Sequence, residues 1–220
     1  MTTARALFDK ELEELHRDIL KMGGIVERQI YEAVDSLAKK DHKLAEKVID
    51  EDEKVDDLQL LIEDKCVSLI ALQQPLAGDL RSIFVGIKLV TDLERISDLA
   101  VDIAEITVAL IDEEYIKPLV DIPRMAKIAR SIVEIALNAY VQKDAEKAKS
   151  IFPLEEEMDN LYDQIFRELL LIMIQDPKTI HQATHLLMVG RHLERIADHG
   201  TNIAEMVIYG ETGERIKLNL

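Results

Sequence analysis

The sequence has no tryptophan, one cysteine, 5 prolines and 8 glycines in 220 residues. A single cysteine, Cys66, rules out an intrachain disulfide and fits a reducing compartment. So little proline and glycine leaves few turns, and aromatic residues make up only 4%. Both shortages argue against β-sandwiches and barrels. Positive charge is short too: 27 Lys and Arg face 43 Asp and Glu, for a formal net charge of −16. Such a chain is repelled by nucleic-acid phosphates and better suits a basic partner or a metal cation. The longest purely apolar run, Leu169 to Ile174, is far below the ~18 residues of a membrane span. Met1 to Glu14 carries no apolar leader core. The expectation is a cytoplasmic protein that is not integral to a membrane and does not bind nucleic acid.

What is present is helix. Hydrophobic residues reach 48%, enough for a sizeable core, and they recur with helical spacing. The pattern predicts six helices, over roughly 5–39, 43–72, 77–111, 122–141, 144–174 and 178–209. Pro153 should kink the fifth helix or split off its first turn. Met22-Gly23-Gly24 should mark a bend or a close crossing in the first. Cys66 lies beside the apolar run Val67 to Leu72 and reads as core.

The second half repeats the first. Leu93-Glu94-Arg95-Ile96-Ser97-Asp98 returns as Leu193-Glu194-Arg195-Ile196-Ala197-Asp198, and Ile103-Ala104-Glu105 as Ile203-Ala204-Glu205. Val55-Asp56-Asp57-Leu58 corresponds to Met158-Asp159-Asn160-Leu161. The fold expected is all-α, with two tandem three-helix bundles related by internal duplication. The first bundle covers 1–111, a linker 112–123 contains Pro118 and Pro123, and the second bundle covers 124–220.

Glu94, Asp98, Asp102 and Glu105 fall on one helical stripe, and Glu194, Asp198, Asn202 and Glu205 repeat it. Asp52/Asp56 and Glu155/Asp159 add pairs spaced four apart. A solvated face is the simplest reading. Yet exposed helices usually alternate charge sign, and like charges at i, i+4 destabilise a helix by ~0.2–0.5 kcal/mol per pair. Carboxylates one turn apart can instead bridge a cation. If the second and third helices are neighbours, Asp52 and Asp56 face Glu94 and Asp98.

The doubled Leu-Glu-Arg-Ile-x-Asp, on the third helix of each three-helix repeat, resembles the PhoU family of phosphate-signalling proteins over nearly the whole chain. The resemblance implies acidic motifs holding multinuclear metal at Asp52, Asp56, Glu94, Asp98, Glu155, Asp159, Glu194 and Asp198, with Asp102 and Asn202 next along the stripes. Asn202 has one charge fewer than Asp102, so the second cluster should hold metal more weakly or in different number. The ion would be divalent or trivalent, iron or zinc first. The resemblance also implies a non-enzymatic negative regulator of the phosphate-starvation response. Its partners would be the ATPase subunit of a phosphate transporter and the histidine kinase of a two-component system. An elongated shape with apolar edges makes a homodimer expected.

Two other classes stay open on the residues alone: a metal-dependent enzyme or metal store using the same acids, and a metal-free helical scaffold. A ferritin-like di-iron centre needs two Glu-x-x-His motifs, and the chain has one, Glu13 to His16. No nucleophile-base signature is visible. His185, His192 and His199 recur every seven residues on the last helix, flanking its apolar arc. They read as half-buried packing or partner-facing groups, with metal ligation and a pH-sensitive contact as the other readings.

Overall fold

The computed structural model describes residues 2–218, with side chains over 6–218, and these contain no strand. Eight α-helices follow one another: α1 Thr2–Lys39, α2 His42–Asp50, α3 Asp52–Gln73, α4 Ala77–Ala109, α5 Asp121–Gln142, α6 Ala145–Lys149, α7 Phe152–Gln175 and α8 Ile180–Thr212. A short 3-10 turn, Pro177–Thr179, leads into α8.

Local chemistry sets most of the ends. Asp41 and Asp144 cap α2 and α6, accepting from the backbone N–H groups of Leu44 and Lys147 at 3.1 and 2.9 Å. The preceding chain reverses through Lys40 and Lys143, both left-handed at φ 54°. The same two-residue device thus joins the first two helices of each half. Pro153 sits in the first turn of α7, where its missing N–H costs nothing. The expected fifth helix is split just before it.

The expected second helix, 43–72, is also split, at Glu51, and no proline marks the place. Glu51 accepts from Arg28 of α1 at 2.9 Å, a tertiary contact that local periodicity does not reveal. By contrast, α1 runs unbroken through Gly23 and Gly24. Gly23 is a close crossing: a Cβ there would lie 2.5 Å from Leu137 Cδ1 on α5.

The helices form two three-helix units, α1 with α2/α3 and α4, and α5 with α6/α7 and α8. The units join where α4 packs along α8 and α1 against α5, so a single core runs through both. In the doubled motif the apolar positions are buried alike. Leu93, Ile96 and Ile103 match Leu193, Ile196 and Ile203, all fully buried. Each such side chain contributes roughly 1.5–3 kcal/mol by leaving water. Cys66 is buried in this core, and burial pushes its thiol up to about 12.

Candidate functional site

In both repeats the second long helix lies against the third. That packing carries the paired acids of α3 to those of α4, and those of α7 to those of α8.

In the first repeat, burial raises the Asp52 carboxyl above its ordinary range. A hydrogen bond from Ser97 opposes this, and the charges of Asp56 and Asp98 add to it. Glu94 is raised by burial and then by Asp98, with Arg95 opposing and Asp56 and Asp52 adding. Asp52, Asp56, Glu94 and Asp98 therefore share one electrostatic site. Arg95 spans its rim, with Nη1 2.9 Å from Asp98 Oδ2 and Nε 3.4 Å from Glu94 Oε2. Behind it, the buried Ser97 Oγ lies 2.7 Å from Asp52 Oδ1 and 2.9 Å from Gln29 Oε1. One hydroxyl proton serves only one of those oxygens, while the buried Gln29 Nε2 has no partner among the described residues. Turning the Gln29 amide over satisfies all three groups: Nε2 donates to Ser97, and Ser97 donates to Asp52.

The second repeat has the same plan. Glu155, Asp159, Glu194 and Asp198 line a cleft of ≈ 560 Å³ with Phe152, Met158 and Leu218 among its walls. Burial raises all four carboxyls. Glu155 moves most, to about 7: burial is the largest cause, a hydrogen bond from Thr201 opposes it, and the charges of Asp198, Asp159 and Glu205 add to it. Arg191 donates to Glu194 and takes the rim place that Arg95 has in the first repeat. The C-terminal segment closes one side, where the Leu218 N–H donates to Glu205 Oε1 at 2.6 Å.

Asp102 and Asn202 are not part of these clusters. Each step of four residues overshoots a helical turn by about 40°. Two steps beyond Glu94 and Glu194 therefore turn these residues toward the α4–α8 contact. There Asp102 Oδ2 lies 3.5 Å from the buried His192 Nδ1. That nitrogen makes no hydrogen bond among the described residues, and burial holds His192 below the usual imidazole range. Asn202 donates to Asp92 Oδ1 at 3.3 Å, and His199 Nδ1 lies 2.9 Å from the same oxygen. His192 and His199 are thus inter-repeat contacts with acids of α4. His185 Nδ1 lies 2.8 Å from the His181 carbonyl oxygen.

The donor chemistry fits a cation. Eight carboxylates stand in two groups, and burial raises Asp52, Glu94, Glu155, Asp159, Glu194 and Asp198 among them. A hard cation offsets such crowding. Among the described residues, however, no three His, Cys, Asp or Glu side chains converge into a group that could hold an ion. The acids of the second repeat share a cleft, and closing on an ion would take rotation of their side chains. Sequence reasoning missed Ser97 and Thr201, which bond to the first acid of each pair, and Gln29, which bonds to Ser97. The available signal was a hydroxyl residue inside or one turn after each doubled motif.

The family described as the PhoU domain matches the chain twice, over residues 19–107 and 122–207. The phosphate-specific transport system accessory protein PhoU homolog of Clostridium acetobutylicum is 43% identical, covering 98% of this chain and 99% of that one. Its namesake in Caulobacter vibrioides is 40% identical, covering 95% and 91%. The crystal structure of PhoU from Pseudomonas aeruginosa matches with a TM-score of 0.91 at 36% identity, covering 94% of this chain and 100% of that one. The phosphate transport system regulatory protein PhoU from Streptococcus pneumoniae matches with 0.88 at 33%, covering 96% and 99%.

Proposed function

The chain belongs to the PhoU family, and from that premise we propose that it is an accessory and regulatory protein of phosphate transport that represses the phosphate-starvation response. The observation that carries this reading is the match of both repeats to relatives of that name over nearly the full length of each chain. The cellular setting follows from the role: a cytoplasmic protein, acting as a homodimer, that contacts the transporter's ATPase subunit and a phosphate-sensing histidine kinase. The test is deletion of the gene followed by transcript measurement in high phosphate. Phosphate-responsive genes should be derepressed. Genes that stay repressed in the deletion strain would overturn the regulatory reading.

The acidic clusters support a second part of the proposal. Asp52, Asp56, Glu94 and Asp98 would hold a divalent or trivalent ion in the first repeat, and Glu155, Asp159, Glu194 and Asp198 in the second, with iron and zinc as the first ions to try. A bound ion would supply positive charge that offsets the mutual repulsion of the acids. Asp102 and Asn202 are left out, because they are engaged with α8 and α4. Elemental mass spectrometry on untagged protein tests this beside an Asp98→Ala, Asp198→Ala double variant. Several ions per chain, lost in the variant, are expected. No ion in either protein after reconstitution would leave the clefts as acid surfaces for a basic partner. Phosphoester hydrolysis that disappears in the variant would point to an enzyme instead.

A further inference from the structure

Where the two repeats meet, two buried polar atoms find no hydrogen-bond partner among the described residues: His16 Nε2 on α1 and the Tyr140 hydroxyl on α5. Their rings meet edge to face with centroids 5.2 Å apart. Both side chains line one small cavity of ≈ 20 Å³, together with Ser82 of α4, Lys143 at the end of α5 and Glu211 of α8. Buried hydroxyl and imidazole nitrogen atoms are rarely left unpaired, because each gave up a hydrogen bond to water on folding. Two such atoms on one cavity call for a guest that bonds to both.

Size and charge choose the guest. A water molecule needs about 10–15 Å³ and two to four polar partners, and this cavity provides both. A four-oxygen anion or an organic molecule is too large for it. Lys143 and Glu211 bring opposite charges to the same opening, so a neutral guest fits better than an ion. Burial, with the charge of Lys143, lowers the His16 pKa, so a neutral imidazole is favoured. Water can donate to or accept from Nε2, and so serves either tautomer.

We propose that one ordered water molecule occupies this cavity and bridges His16 Nε2 to the Tyr140 hydroxyl, tying α1 of the first repeat to α5 of the second. The test joins a high-resolution crystal structure to water-oxygen magnetic relaxation dispersion on the wild type and Tyr140→Phe. Phenylalanine keeps the ring, so the variant should fold. A density peak about 2.7–3.2 Å from both atoms is expected. The variant should lose one long-lived internal water, and its Tm should fall by about 2–4 °C. A Tm that rises in the variant, with no density in the wild-type cavity, would show an orphaned hydroxyl in a dry space and overturn the proposal. An anomalous peak in the cavity after a bromide soak would overturn it in favour of a halide.

Discussion

Glu155 stands at the crowded end of the second cleft, with its carboxyl raised to about 7 from 4.5. A raised acid reverses the usual pH dependence. Below pH 4.5 the group is protonated folded or unfolded, and the difference is fully present as stability. Between 4.5 and 7 only the folded state still holds the proton, so this contribution falls as pH rises and is gone above 7. Urea denaturation at several pH values should therefore show a smaller fall in stability across that window for Glu155→Gln than for the wild type. Equal slopes would show that Glu155 titrates normally. The same proton would compete with a metal ion, so any cation bound at this cleft should be released as the pH falls below about 7.

At the scale of the element, the left-handed residues at helix ends show how much strain this fold tolerates. Gln74 ends α3 at φ 45° and ψ 59°, and its N–H still bonds to the Ile70 carbonyl at 3.3 Å. A side chain in that region costs roughly 1–2 kcal/mol, which glycine avoids. Gln74 is exposed, so Gln74→Gly should raise the free energy of unfolding by about 1 kcal/mol, read as a higher urea midpoint at unchanged slope. Lys40 and Lys143 share the conformation, but Lys40 also donates to the Glu113 carbonyl and Lys143 lines the small cavity beside His16 and Tyr140. Gln74 is therefore the cleaner position. The same device stands before α2 and α6, at Lys40-Asp41 and Lys143-Asp144. An Asp cap after a left-handed residue is a local signal.

For the whole molecule, the question is what makes two repeats one body. The adjacent glycines of α1 separate the possibilities. Gly23 faces α5 with Leu137 Cδ1 at 2.5 Å from a built Cβ, while Gly24 has nothing within 4 Å. Gly23→Ala should force Leu137 to move and lower stability by about 1–3 kcal/mol. Gly24→Ala should raise it by up to ~1 kcal/mol through helix propensity. Thermal unfolding of both variants checks this, and similar shifts would show that the α1–α5 crossing is looser than described. Across the other seam, Asp92 and Asp102 of α4 meet His199, Asn202 and His192 of α8. Residues flanking the acidic motifs on both sides thus join the repeats, while the motif acids Glu194 and Asp198 line the cleft of the second.

Much of this was legible in the sequence because it rests on short-range chemistry. Helical spacing, the scarcity of turn residues and the two copies of Leu-Glu-Arg-Ile-x-Asp determined an all-α chain of two similar three-helix units. The same spacing assigned the acids of the motif to a shared face, since residues three and four apart must lie together on a helix. The break at Glu51 was not legible, because it accompanies a contact with Arg28 on another helix. Nor were the hydroxyls of Ser97 and Thr201 as partners of Asp52 and Glu155, or the turn of Asp102 and Asn202 toward the seam. A helical wheel has no partner helix drawn on it. Only the packing of α4 along α8 decided which side of each acidic stripe became a cleft and which became an interface.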